Sequence, residues 1–301
     1  MILALTGGTG FLGSHILRLA GESGIALRAL ARRPQPARDG VEWIAGTLDD
    51  APALGRLVAG ADAVLHVAGL TNAPDRAGFA AGNIAGTRAM LAAAAYAGVR
   101  RFVQISSLSA REPGLSDYGW SKGEADEAVH ASGLDWTIVR PPAIYGPGDT
   151  AMLDLFRMAA KGFMMLPPRG RLSMIHAEDL ARLLLALAGA PQTHGMTLEP
   201  DDQVPGGWDH RDFAHAVGEA LGRRVRPVPV PAWLLRLAAR GDGLVRGAKA
   251  KLTPDRARYF CHPDWVVSRD AMPPADLWRP AIDTPAGLRA TAESYRAAGW
   301  L

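Results

Sequence analysis

Tyr118 and Lys122 stand four residues apart in Tyr118-Gly119-Trp120-Ser121-Lys122, a stretch that reads as helix. That spacing places both side chains on one helical face. A free phenol titrates near ~10 and is a poor proton donor or acceptor at neutral pH. A nearby ammonium favours the phenolate, so the pair is expected to lower the Tyr118 pKa and turn the phenol into a general acid or base. Just upstream, Val103-Gln104-Ile105 reads as a strand end and runs into Ser106-Ser107. A hydroxyl there can donate a hydrogen bond to a substrate carbonyl and stabilise developing oxyanion charge. Ser107, one step beyond the strand, is the first choice; Ser106 and Ser109 are alternates.

A second set of residues suits a dinucleotide. Thr6-Gly7-Gly8-Thr9-Gly10-Phe11-Leu12-Gly13 follows the strand Ile2–Leu5 and opens the helix Leu12–Ala20. Gly7, Gly10 and Gly13 allow a tight turn and close backbone approach to a pyrophosphate. Phe11 and Leu12 then begin a helix whose free N–H groups and positive dipole end face the phosphates. The second strand, Ala26–Ala31, ends in Arg32-Arg33, where an NAD site carries an acidic residue for the ribose 2′-OH. The nearest carboxylate, Asp39, comes several residues later. Two guanidiniums suit a 2′-phosphate, so NADP(H) is favoured over NAD(H), with Arg32 the first contact. Thr47 and Leu48 follow the third strand, Val41–Ile44, where adenine is expected. Val67, Ala68 and Gly69 close the fourth strand beside the expected nicotinamide ribose, and His66 reads as packing.

The elements that must position these groups alternate. Strands Ala63–Val67 and Phe102–Ile105 flank the Ala-rich segment Gly86–Ala97, and Trp136–Val139 follows the Tyr118 helix. Such alternation predicts an α/β fold, a Rossmann doubly wound parallel sheet covered by helices on both faces. The pattern changes near Pro141-Pro142 and Gly146-Pro147-Gly148. The predicted division is an NAD(P)-binding domain over residues 1–165, with 174–190 returning to it, and a smaller, partly interleaved substrate-binding domain over 166–301. Asp212–Leu221 and Pro285–Ala298 read as its helices, and Ile175–Leu187 as the returning strand-to-helix unit.

Taken in order, these motifs resemble the extended, epimerase/dehydratase-like branch of the short-chain dehydrogenase/reductases. The resemblance rests on Thr6-Gly7-x-x-Gly10-x-x-Gly13, His66-x-Ala68-Gly69, Asn83-x-x-Gly86-Thr87, Ser106-Ser107, Tyr118-x-x-x-Lys122 and Arg140-Pro141-x-x-x-Tyr145-Gly146-Pro147-Gly148. Met174-Ile175-His176-x-x-Asp179 looks like the branch's second-domain motif. The resemblance implies Tyr118 as general acid/base, Lys122 as its pKa modulator and a ligand of the nicotinamide ribose, and Ser107 as the group that orients substrate. It implies Pro141 among the cofactor contacts and Asn83 as holder of a relay water, a role that a helix-cap reading rivals.

The segment after Ser107, Leu108-Ser109-Ala110-Arg111-Glu112, departs from the Val-Tyr-Gly signature common in nucleotide-sugar members. Arg140-Pro141-Pro142 instead resembles dihydroflavonol-reductase and 3β-hydroxysteroid-dehydrogenase-like members. The expected reaction is therefore hydride transfer between nicotinamide and a small or mid-sized, relatively apolar carbonyl or alcohol. Two alternatives are a nucleotide-sugar epimerase or dehydratase and a non-catalytic cofactor-bound subunit or sensor. Met164, Met165, Leu166 and the tryptophans could line an apolar pocket or form ordinary core.

Composition excludes several other classes. The 301 residues are 48% hydrophobic and 21% charged, ordinary for a globular enzyme. Net charge is only +3, so no nucleic-acid partner is expected. Cys261 is the only cysteine, which rules out an intrachain disulfide. No metal-ligand spacing stands out. No apolar run is long enough for stable membrane insertion, and a cytoplasmic location is expected. Trp233-Leu234-Leu235-Arg236-Leu237, with Arg240, Arg246 and Lys249, could rest on a membrane surface or be a packed helix. By analogy with the branch, a homodimer is possible.

Overall fold

The computed structural model describes residues 1–246 and 253–301; Lys249 and the side chain of Arg246, considered above for a membrane-facing helix, lie outside what is described. The chain opens with β1 (Ile2–Thr6), α1 (Phe11–Glu22), β2 (Ala26–Ala31), β3 (Val41–Ala45), α2 (Ala51–Val58) and β4 (Ala63–His66). There follow α3 (Arg76–Phe79), a π-helical turn (Ala80–Ala85), α4 (Gly86–Tyr96), β5 (Arg101–Ile105), α5 (Asp117–His130) and β6 (Asp135–Val139). Next come β7 (Ala143–Tyr145), α6 (Leu153–Ala160), β8 (Phe163–Leu166), β9 (Arg171–Leu172), β10 (Met174–His176), α7 (Ala177–Ala188) and β11 (Met196–Leu198). The remainder is β12 (Trp208–Asp209), α8 (His210–Leu221), β13 (Arg226–Pro229), α9 (Ala232–Arg246), α10 (Pro254–Phe260), β14 (Asp264–Trp265) and α11 (Thr284–Ala297).

The first compact unit comprises Met1–Pro141, Glu178–Pro200 and Asp270–Arg279. It holds a seven-stranded sheet in the order β11-β6-β5-β4-β1-β2-β3, with every neighbouring pair parallel. Strands buried on both faces need near-continuous apolar sequence. Accordingly β4 and β5 are buried at every residue. Leu54, Leu57, Val64, Met90, Phe102 and Ile138 form the centre of one core cluster. The strand order reverses between β1 and β4, which is where ligands sit in open α/β sheets, beyond the carboxyl ends of the strands. The predicted strands and helices of this unit lie within about two residues of those observed, the usual uncertainty of an element's ends.

The second unit comprises Pro142–Ala177, Asp201–Arg269 and Pro280–Leu301. It carries three small sheets, β7 with β10, β8 with β13, and β9 between β12 and β14. Its core gathers Tyr145, Phe156, Met164, Phe213, Leu288 and Tyr295. The compact units part the chain earlier than the expected boundary at 165, because residues 142–165 pack with the second unit. The return to the first unit starts at Glu178 rather than at residue 174, and a further return, Asp270–Arg279, was not foreseen. It is anchored by Trp278, whose Nε1 donates to the Asp179 carbonyl at 2.9 Å. Met164 and Leu166 are core residues of the second unit, whereas Met165 is half exposed.

Candidate active site

Glycine at three points brings the site's backbone segments together. A Cβ at Gly13 would lie 2.1 Å from the Gly7 carbonyl oxygen, so only glycine lets α1 start against its own loop. Gly7 has φ +76°, and a Cβ there would meet the Ala68 nitrogen at 2.7 Å. The loop after β1 and the loop after β4 therefore touch backbone to backbone. Gly10, the N-cap of α1, is exposed, supplies no side-chain cap, and precedes a first turn without acidic residues. This is a cradle of free N–H groups with no competing carboxylate, and it fits a pyrophosphate.

The third glycine is Gly119, beside Tyr118. A Cβ there would meet the Ser109 carbonyl oxygen at 2.7 Å, so α5 can lie directly on the short 3₁₀ turn Leu108–Arg111. Ser116 caps α5 by accepting the Gly119 N–H at 2.9 Å. Ser107 caps the 3₁₀ turn and accepts from the Ser109 N–H at 3.2 Å and the Ser109 hydroxyl at 2.9 Å. The Ser107 hydroxyl also lies near enough to the Tyr118 phenol to draw its pKa down. Ser106 points elsewhere, donating to Asp126 Oδ2 at 2.9 Å. Of the three serines, Ser107 is thus the one that acts on the Tyr118 phenol.

Lys122 is buried, and its Nζ donates to the Ile105 carbonyl at 2.6 Å. A Cβ at Gly69 would lie 3.7 Å from that nitrogen and 3.2 Å from Asn83 Oδ1, so Gly69, Asn83 and Lys122 converge. Asn83 is buried within the π-helical turn. Its Oδ1 accepts the Leu70 N–H at 2.7 Å, and its Nδ2 donates to the Leu70 carbonyl at 3.0 Å and the Ser121 hydroxyl at 2.9 Å. It ties the loop after β4 to the turn of α5 between Tyr118 and Lys122. Among the other expected contacts, Pro141 is buried and accepts the Leu108 N–H at 3.0 Å, next to Ser107. Arg32 and Arg33 are exposed at the end of β2, and neither makes an ion pair among the described residues. Thr47 donates to Asp49, while Leu48 packs against the core and over Gly86. Val67 and Ala68 are half-buried, and Ala68 N–H donates to the Thr6 hydroxyl at 3.1 Å.

The charges differ from the expectation at Tyr118. Its pKa is raised, first by burial and then by Asp126, with the neighbouring Ser107 hydroxyl opposing. The expected lowering by Lys122 does not appear, because the ammonium is directed to Ile105 and is itself disfavoured by burial. Burial brings Lys122 down to about 8, against the pull of Asp126.

Asp126 and Arg140 were not among the expected site residues. Asp126 lies one helical turn beyond Lys122, fully buried, and Arg140 Nε donates to its Oδ2 at 2.9 Å. Its Oδ1 has no hydrogen-bond partner among the described residues. Burial raises the Asp126 pKa, while Arg140, Ser106 and Lys122 oppose. The signal was available in the spacing Tyr118, Lys122, Asp126, at i, i+4 and i+8. His66 is also more than filler: one ring nitrogen meets the Thr6 hydroxyl at 2.7 Å and the other meets Thr87 at 3.2 Å. Burial, then Lys122, drives its pKa down to about 3. No cluster of metal-binding side chains occurs among the described residues.

Comparison with known proteins identifies the family of the chain. Residues 7–191 match a family model described as NAD(P)H-binding. The chain is 38% identical to a ceramide reductase of Caulobacter vibrioides over 309 aligned positions, covering 100% of this chain and 96% of that protein. Its fold matches MoeE5, solved with UDP-glucose and NAD, at TM-score 0.76 and 21% identity over 99% of each chain. It also matches human epimerase family protein SDR39U1, solved with NADPH, at TM-score 0.74 and 20% identity, covering 97% of this chain and 99% of that one. The chain belongs to the NAD(P)H-binding family and is an NAD(P)-dependent oxidoreductase of the extended short-chain dehydrogenase/reductase type.

Proposed function

We propose that the chain is an NADPH-dependent reductase of a ketone carried on a long-chain, largely apolar lipid, with Tyr118 as the proton donor. The observation that carries this reading is the packing of α5 at Gly119 directly on the turn that Ser107 caps after β5, which sets the Tyr118 phenol within reach of the Ser107 hydroxyl, with Lys122 one turn further along the same helix. Full-length similarity to a ceramide reductase supports a lipid substrate, since it extends through the second unit as well as the cofactor-binding half.

The residues present suit the cofactor. Gly7, Gly10, Gly13 and the start of α1 at Phe11 and Leu12 would hold the pyrophosphate, and Arg32 with Arg33 a 2′-phosphate. Thr47 and Leu48 would border the adenine. Val67, Ala68, Gly69, Lys122 and Pro141 would flank the nicotinamide ribose. When bound, the cofactor supplies the hydride. The protein's own part is acid catalysis and positioning. Ser107 donates to the substrate carbonyl and polarises it. Tyr118 then gives its phenolic proton to the oxygen. The raised Tyr118 pKa keeps the phenol protonated at neutral pH, the form a reductase needs. Asn83 acts as a positioning residue by holding Leu70 and Ser121.

The test follows absorbance of the reduced nicotinamide with a panel of ketones, including long-chain keto-lipids in detergent. NADPH consumption is expected with an apolar ketone. Tyr118→Phe should lower kcat by roughly 10³-fold, within the usual range for losing a general acid, while leaving NADPH affinity within about twofold. Full activity in that variant would remove Tyr118 from the reaction. Turnover without net absorbance change would indicate an epimerase instead.

A further inference from the structure

Charge is distributed unevenly along this chain. Residues 223–260 hold ten Lys and Arg against two acidic residues, net +8, whereas the other 263 residues are net −5. The same stretch breaks the rule that large apolar side chains are hidden. Of the exposed large hydrophobic residues, Val228, Trp233, Leu234, Leu237 and Phe260 all fall within it. Trp233 and Leu237 are 66% and 58% exposed, one turn apart on α9. The opposite side of that helix is the inward one: Ala239 is fully buried and Leu235 half-buried. At 100° per residue, Leu234 continues the Trp233–Leu237 stripe on one side. Arg236 and Arg240, both exposed, border it on the other. Helix α10, ending in the exposed Phe260, packs against α9. Val228 on β13 pairs in register with the half-exposed Met165 on β8, adding apolar surface to the strand that leads into α9.

We propose that this face of the second unit docks on the surface of an anionic lipid bilayer, with Trp233, Leu234 and Leu237 entering the headgroup region. An outward apolar stripe bordered by arginines suits a bilayer interface, which takes up side chains of both kinds. A nucleic acid would neutralise the arginines but leave the apolar stripe in water. A second copy of the chain would bring two segments of net +8 together. The proposal draws on the lipid substrate suggested above, which resides in a bilayer, though the charge and exposure patterns stand apart from it.

The full-length chain would be sedimented with vesicles of phosphatidylcholine alone and with roughly 30% phosphatidylglycerol added. Binding is expected to the anionic vesicles and not to the neutral ones, and to be lost at about 0.5 M NaCl. The double variant Trp233→Glu/Leu237→Glu should weaken binding by about tenfold or more, since it removes apolar anchors and adds like charge to the lipid. Its NADPH-dependent turnover of a soluble ketone should match the parent. Arg236→Glu/Arg240→Glu provides an independent pair should the first variant fail to fold. Absence of binding to anionic vesicles would overturn the proposal, as would binding indifferent to a well-folded variant. It would equally be overturned by light scattering showing that this face holds a dimer, or by preference for a DNA duplex over vesicles. Vesicle binding without keto-lipid reduction would defeat the substrate reading alone. Keto-lipid reduction in detergent without vesicle binding would defeat the docking surface alone.

Discussion

The Lys122 ammonium sits on the Ile105 carbonyl, and burial draws its pKa from 10.5 down to about 8. At neutral pH the side chain is still mostly charged. The kcat/KM profile, which reports free-enzyme ionisations, is therefore expected to fall as pH rises through about 8. Lys122→Arg, charged throughout the accessible range, should remove that limb even if it lowers the plateau. A wild-type profile flat to about pH 10 would show that this ammonium does not control the reaction. The stability linkage has the opposite direction. Between about 8 and 10.5 the unfolded chain binds the extra proton, so this group's contribution to stability rises with pH across that window. In the proposed reading, Arg32 carries the cofactor preference. Arg32→Ala should weaken NADPH binding about tenfold, the worth of a charged hydrogen bond, and leave NADH nearly unchanged. An unaltered preference in a fluorescence titration would remove the 2′-phosphate assignment. The Tyr118–Lys122 pair was legible because a four-residue spacing defines a helical face. The direction of the Tyr118 shift was not, because spacing says nothing about how much solvent the phenol loses.

His66 fastens three elements to one another. It ends β4, reaches Thr6 at the end of β1 and reaches Thr87 near the start of α4. The ring is neutral down to about 3, against 6.5 for a solvated histidine. Its contribution to stability is thus fully present above 6.5 and is lost as pH falls toward 3. Urea unfolding at about pH 7.5 and about pH 5 should show the wild type losing about 2 kcal/mol more stability than His66→Gln over that interval. Equal losses would mean that His66 does not set the acid response. Sequence periodicity found β4 but read its histidine only as packing, since its partners come from residues 60 positions upstream and 21 downstream. The π-helical turn at Ala80–Ala85 was likewise invisible: its residues show an ordinary helical pattern, and the wider turn brings Asn83 to Leu70 and Ser121. Glycine loops were easier to read, because a missing Cβ at Gly13 matters within its own turn.

At the scale of the whole molecule, the strand–helix alternation up to Val139 was enough to predict a parallel Rossmann sheet. Short local connections and continuous apolar strands leave few other ways to bury both faces. Beyond Pro141 the strands shorten to two to four residues, too short for a period to show, and the compact units divide the chain differently from the expected boundary. No helix among the described residues is long and apolar enough to cross a membrane. The docking face proposed for α9 is compatible with that, since surface association needs only one apolar stripe and its cationic border.

What the sequence by itself determined was local: the glycine loop that only glycine can form, the helical spacing of Tyr118 and Lys122, and the serine pair at a strand end. These depend on backbone geometry over a few residues. What the tertiary structure decided was the environment of those groups. It buried Lys122, raised Tyr118, placed Asp126 and Arg140 beneath them and exposed the apolar side of α9. Desolvation depends on every atom packed around a group, and most of those atoms come from distant parts of the chain.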